Sequence, residues 1–146
     1  MNTISSVRCN FPIVRPPGPL LSGGKFEQGY VMSDICDVLK LSPALEGAHK
    51  LLQQSDPIGR VGHYRAVYHL SHSIEAYTPD LGSNPGPGEV GIEELMHSIS
   101  FTTYAFSDLV DRETLIRFAQ KLANIHPWEH PIIEISSSGS LEFYSP

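Results

Sequence analysis

The stretch Leu122-Ala123-Asn124-Ile125-His126-Pro127-Trp128-Glu129-His130-Pro131-Ile132-Ile133-Glu134-Ile135 holds a change of periodicity that decides the fold. Upstream of it, Leu115, Phe118, Ala119 and Leu122 recur at the i, i+3, i+4 and i+7 spacing of one helix face, with Asp111 as cap and an end near Ile125. Downstream, Ile132, Ile133 and Ile135 read as a strand. Two imidazoles and a carboxylate therefore stand between two prolines at the entrance of a strand, where polar groups can be held rigidly.

Working towards the N-terminus, residues 95–101 alternate, with Leu95, His97, Ile99 and Phe101 on one side, and predict a strand. Residues 77–91 hold Pro79, Gly82, Pro85, Gly86, Pro87, Gly88 and Gly91, and predict a loop of a length that often serves function. Residues 64–72 alternate again and predict a central strand with two usable faces. Ser42 and Pro43 look like the N-cap and first residue of a helix through Leu45, Ala48, Leu51 and Leu52, ended before Asp56-Pro57. Gly59 and Gly62 mark the turn after it.

Residues 34–41 form either a short strand or one turn of helix, since Ile35, Val38, Leu39 and Leu41 fit both periods. Leu141 to Tyr144 add a short edge strand after Gly139. Residues 1–32 are broken by Pro12, Pro16, Pro17, Gly18, Pro19, Gly23, Gly24 and Gly29, and read as an arm. Phe11, Ile13, Leu20 and Phe26 make that arm too apolar for a purely solvated tail, so it is expected to lie across the domain or a neighbouring subunit, with disorder as the alternative. The domain proper is then 33–146. The coarse order is β-α-β-β-α-β, the split βαβ of an α+β ferredoxin-like sandwich. Its exposed sheet edges suggest a homo-oligomer, a dimer or trimer.

Composition bounds the rest. A chain of 146 residues with 40% apolar side chains fits one core of ordinary size. A net charge of −6, with the ten basic residues scattered, opposes a nucleic-acid partner. There is no run of eighteen apolar residues, which opposes a membrane-spanning segment. Two cysteines, Cys9 and Cys36, form no disulfide framework and fit a reduced cytoplasmic setting.

Three spaced motifs resemble a known family: Gly59-x-x-Gly62-x-Tyr64, then Tyr77-x-Pro79-x-x-Gly82-x-x-Pro85-x-x-Gly88-x-x-Gly91-x-x-Glu94, then His126-Pro-Trp-Glu129-His-Pro131. Together they resemble the YqfO-type domain, the CutA-like and PII-like module inserted in GTP cyclohydrolase I type 2-like proteins and also found alone. The resemblance spans residues 34–136. It implies an oligomeric CutA/PII-like fold and binding of a metal or small ligand. Trp128 and His130 depart from the His-Pro-Tyr-Glu-Glu-Pro of that family, and the arm has no counterpart there.

The chemistry centres on residues 126–130. His126-x-x-Glu129-His130 formally matches an inverted zinc-peptidase pattern, but Pro127 and Pro131 oppose the helix it needs. A divalent-metal site from His126, Glu129 and His130, with a distant residue such as His63, is one option. Capping of backbone groups by His126 and Glu129 where helix meets strand is another. The third is acid/base chemistry, with Glu129 or Glu94 as carboxylate and His126 or His130 exchanging a proton in a pocket walled by Trp128 and Tyr64. Gly86-Pro-Gly88-Glu-Val-Gly91 fits G-x-G-x-x-G but follows no strand, so no nucleotide cofactor is expected. Ser136-Ser-Ser-Gly-Ser140 reads as linker composition.

The expected function is binding of a small ligand or metal between the Gly/Pro loop, with Gly88 and Gly91, and the His126–His130 turn, with His63, Tyr64 and Trp128 beside it. The alternative is a cofactor-independent hydrolase or cyclase acting on a neutral organic molecule.

Overall fold

A computed structural model gives the structure, described for residues 3–13, 38–84 and 88–138. The elements run β1 (Ile4–Pro12), α1 (Pro43–Gln53), β2 (Tyr68–Tyr77), β3 (Glu94–Phe106), α2 (Arg112–Ile125) and β4 (Ile133–Ser138). The four strands form one sheet in the order β2-β3-β1-β4, with every neighbouring pair antiparallel. This is the βαββαβ ferredoxin-like arrangement that the order of elements predicts.

The first strand is not where the sequence places it. Residues 4–12, read as the start of an arm, form β1 at the centre of the sheet, paired with both β3 and β4. The signal is there before Pro12: Val7, Cys9, Phe11 and Ile13 are buried while Arg8 is exposed, a period of two that the following prolines and glycines mask. Pro12 is tolerated because the β1–β4 ladder already ends at the Cys9↔Ile133 pair, so no partner strand awaits an N–H there. Residues 38 and 39 are helical, which settles that ambiguity for the part described. The remainder of the arm, Cys36, and the expected edge strand at residues 141–144 lie outside the described residues.

Two further expectations are corrected. Residues 64–72 were to hold a central strand, but β2 begins at Tyr68 and lies at the sheet edge, because β1 and β3 take the centre. Of the serines read as linker, Ser136 to Ser138 belong to β4, where Ser136 and Ser137 pair with Ser6 and Ser5 of β1. Their neighbours, not their own propensity, make them a strand.

Both helices start as their sequences dictate. The Ser42 hydroxyl accepts from the Leu45 N–H at 3.4 Å, and the Asp111 carboxylate accepts from the Thr114 N–H at 2.7 Å. Their apolar faces, Leu45, Ala48 and Leu52 on α1 and Leu115, Phe118 and Leu122 on α2, are buried in one core with Val7, Phe11, Ile99 and Phe101 from the sheet. No helix among the described residues is long and apolar enough to cross a membrane.

The turn before β2 depends on Gly59. At φ +81° it donates its N–H to the Tyr104 carbonyl at 2.7 Å and accepts from the Val67 N–H at 2.9 Å. A side chain there would meet Leu52, Ala66 and Thr103 at 3.0–3.1 Å. Gly62, at φ +58°, has nothing within 4 Å of the same position.

Candidate functional site

The helix α2 ends at His126, whose backbone is extended, and the chain crosses to β4 through residues 127–132 without helical structure. The prolines therefore exclude the peptidase geometry, as their positions predict. His126 is buried, its ring stacked on Phe11 at 5.1 Å and meeting Trp128 edge-on at 5.4 Å.

Both ring nitrogens have backbone partners. Nε2–H donates to the Asn10 carbonyl at 2.6 Å, one residue past the end of the β1–β4 ladder, and Nδ1 accepts from the Trp128 N–H at 3.1 Å. A carbonyl on one nitrogen and an N–H on the other specify the neutral ring with its proton on Nε2. Burial pushes the imidazole pKa down, against a smaller upward pull from the Asn10 carbonyl and the Glu75 charge. His126 thus takes over from β4 as the partner of β1, and neither nitrogen is free for a metal or a substrate proton.

Glu129 and His130 stand apart from that clip. Glu129 Oε2 accepts from the Asn84 N–H at 3.3 Å, which ties the Gly/Pro loop to the turn. Glu129 Oε1 lies 3.9 Å from His130 Nε2, and the His130 side chain is 91% exposed. Among the described residues no group of three or more His, Cys, Asp and Glu side chains is arranged to hold a metal. The ligand set of His126, Glu129 and His130 does not form, for want of a free nitrogen on His126.

A cleft of about 690 Å³ opens where the N-terminus of α1, the Gly/Pro loop and the 127–130 turn meet. Leu41, Tyr77, Pro79, Met96, Ile125 and Trp128 supply apolar wall, and Ser83, Asn84, Glu129 and His130 supply polar groups. The aromatic facing Trp128 is Tyr77, at 6.1 Å and 61° between rings. Tyr64, which the sequence suggested for that place, is 75% exposed in the turn after Gly59 and lines no part of the cleft, and neither does His63. Their short spacing from Gly62 holds them in a local turn closed by the Val61–Tyr64 bridge.

Gly88 and Gly91 shape the loop rather than the cleft wall, at φ +109° and +81°, and the Gly91 N–H donates to the Pro79 carbonyl at 2.8 Å. Glu94 pairs across the ladder with Tyr77 and does not line the cleft. Desolvation first, and the Glu94 charge second, push the Tyr77 hydroxyl pKa up. Tyr77, Met96 and Asn84 were missed as cleft residues. Tyr77 at least opens the proline-glycine motif in the sequence, whereas Met96 and Asn84 carry no local signal. Cys9 is no nucleophile: burial, with Glu75 adding to it, pushes its thiol up to about 12, so it stays protonated at neutral pH.

No protein-family model matches the chain, and no curated protein matches it. Among solved structures it is similar to a Bacillus cereus protein related to NIF3, with a TM-score of 0.58 and 12% identity over 95% of this chain. The likeness shows the shared fold. The chain spans about a quarter of that protein, 26% of its length.

Proposed function

We propose that this chain binds a small, mainly apolar organic molecule in the cleft, its polar end at Glu129, His130 and Asn84. The supporting observation is the cleft itself: about 690 Å³ of mostly apolar wall with a few convergent polar groups is the composition of small-molecule sites. The motif resemblance to the YqfO/CutA-type module agrees with a ligand-binding domain. Acid/base catalysis is the less favoured reading, because His126 is occupied and only the Glu129–His130 pair is left to exchange protons.

Trp128 is the sole tryptophan, so its fluorescence reports on the cleft wall without interference. Anilinonaphthalene sulfonate should quench or shift that emission saturably, and neutral medium-chain alcohols should displace it. Ala44→Phe, which puts a ring into the cleft, should weaken the probe by about tenfold or more. Glu129→Gln retains an acceptor for Asn84, so stability should change by less than about 0.5 kcal/mol while the preference among alcohols, amides and acids changes. Probe binding that survives Ala44→Phe would remove the assignment.

The same reading includes self-association. The edge strand β2 exposes Ile74 at 63%, and Leu95 beside it on β3 is 64% exposed, an apolar pair at an open sheet edge. Light scattering should give more than one subunit, and Ile74→Lys with Leu95→Lys should lower the mass. A monomer for both proteins would end that part of the proposal.

A further inference from the structure

From a second cavity we infer that the protein also takes a small primary ammonium ion, in a pocket that brings Glu75 beside the rings of Tyr77 and Trp128. The pocket, about 330 Å³, is lined by Arg8, Asn10, Glu75, Tyr77, Trp128 and Glu134, with Ala76 and Ile132 completing it. It shares the two aromatic residues with the cleft, but its charged residues line only the smaller space. The assignment therefore does not rest on the cleft reading.

The register explains how these residues meet. Val7, Cys9 and Phe11 point into the core, so Arg8 and Asn10 project from the opposite face of β1. Between β1 and β2 lies β3, which carries small side chains here: Asn10 pairs with Ser100, Pro12 with Ser98 and Ser73 with Ser98. Both serines are buried, and Ser98 and Ser73 hold each other at 2.7 Å between hydroxyl oxygens. The short Ser98 and Ser100 side chains leave a trough beside β1, and Met96 and Glu94 stand opposite Glu75 and Tyr77 at the end of β2. Trp128 closes one end of it, placed there by its N–H bond to the anchored His126 ring.

Charge selects the ligand's sign. Arg8 and Glu134 neutralise each other at 3.1 Å. Glu75 makes no ion pair among the described residues, so the lining carries one uncompensated negative charge. A cation is favoured over an anion, whose natural partner Arg8 is engaged.

Hydrogen bonding selects the type of cation. The acceptor that carries the uncompensated charge is the Glu75 carboxylate, on a half-buried side chain of the lining. A charge-assisted hydrogen bond to such a carboxylate is stronger than a neutral one. A primary ammonium brings three N–H donors for it, while its charge rests beside the rings of Trp128 and Tyr77. A quaternary ammonium matches the rings and the charge but brings no N–H for Glu75.

The test uses the whole chain, butylammonium as probe, and tetramethylammonium and butyrate for comparison at constant ionic strength. Binding is followed by Trp128 fluorescence and by titration calorimetry. Butylammonium should bind saturably in the millimolar range, tetramethylammonium about fivefold or more weakly, and butyrate not at all. Glu75→Gln should weaken butylammonium about tenfold. Glu113→Gln, which removes the same charge from an exposed pair on α2, should leave it unchanged. Ala44→Phe should weaken the naphthalene probe by about tenfold or more and leave butylammonium binding intact, so failure of the cleft reading and failure of the ammonium site are told apart. Equal binding by the wild type and Glu75→Gln, equal affinity for the two ammonium ions, binding of butyrate, or no saturation would each overturn the inference.

Discussion

His126→Ala is expected to lower the unfolding free energy by about 2–4 kcal/mol, the loss of a packed ring plus an orphaned buried carbonyl. The ring stacks on Phe11, donates to the Asn10 carbonyl and accepts from the Trp128 N–H, so the variant loses three contacts that join β1, α2 and the cleft wall. Denaturant unfolding should show the loss, and Trp128 emission in the folded variant should shift as its anchor goes. A variant within about 0.5 kcal/mol of wild type would refute the clip.

The same residue makes stability depend on pH. Its folded pKa lies below the ordinary 6.5, because burial disfavours the charged ring. Between those two values the unfolded chain binds more protons than the folded one, so stability rises with pH across that window. The His126 contribution is full above 6.5 and is lost as the pH falls through the lower folded value. His49, also lowered by burial, adds a slope of the same sign, so the difference between wild type and His126→Gln isolates the clip. An unchanged slope in His126→Gln would show that His126 does not titrate with folding.

The second large effect separates two glycines that look alike in the sequence. Gly59→Ala is expected to cost about 2–4 kcal/mol, since a left-handed backbone adds about 1 and overpacking about 1–3. Its Cβ would press on Leu52 and on the Ala66 backbone at 3.0 and 3.1 Å, and on Thr103, whose hydroxyl is held by the Val67 carbonyl. Gly62→Ala meets nothing, so only its positive φ counts, about 1 kcal/mol. Thermal unfolding of the two variants ranks them, and equal losses would mean that the close approach at Gly59 has no energetic weight.

Periodicity carried most of the elements. Ser42-Pro43 and Asp111 mark real helix starts, the spacing of Leu115, Phe118 and Leu122 is the buried face of α2, and Ile99 and Phe101 lie on the core side of β3, although Ser98 and Ser100 on its other side are buried as well and Leu95 is exposed. These are local consequences of hydrogen-bonding geometry and side-chain direction, so residues near in sequence suffice to reveal them. The β1 strand shows the limit. Its alternation is as clear as that of β3, but the prolines and glycines beyond it gave the whole N-terminal region the look of an arm, and its place at the centre of the sheet follows only from pairing with β3 and β4.

The cluster at residues 126–130 shows the same division. The sequence by itself determined that polar groups would gather where α2 gives way to β4, because the prolines stop the helix and the isoleucines start the strand. It could not decide what His126 does, since its partner Asn10 is 116 residues away and offers a carbonyl that carries no side-chain identity. Nor could it choose Tyr77 over Tyr64 as the ring beside Trp128, because that depends on where the long β2–β3 hairpin ends in space. Tertiary structure decided both: a buried imidazole is assigned by the backbone groups brought to it, and a cleft by the elements whose ends converge.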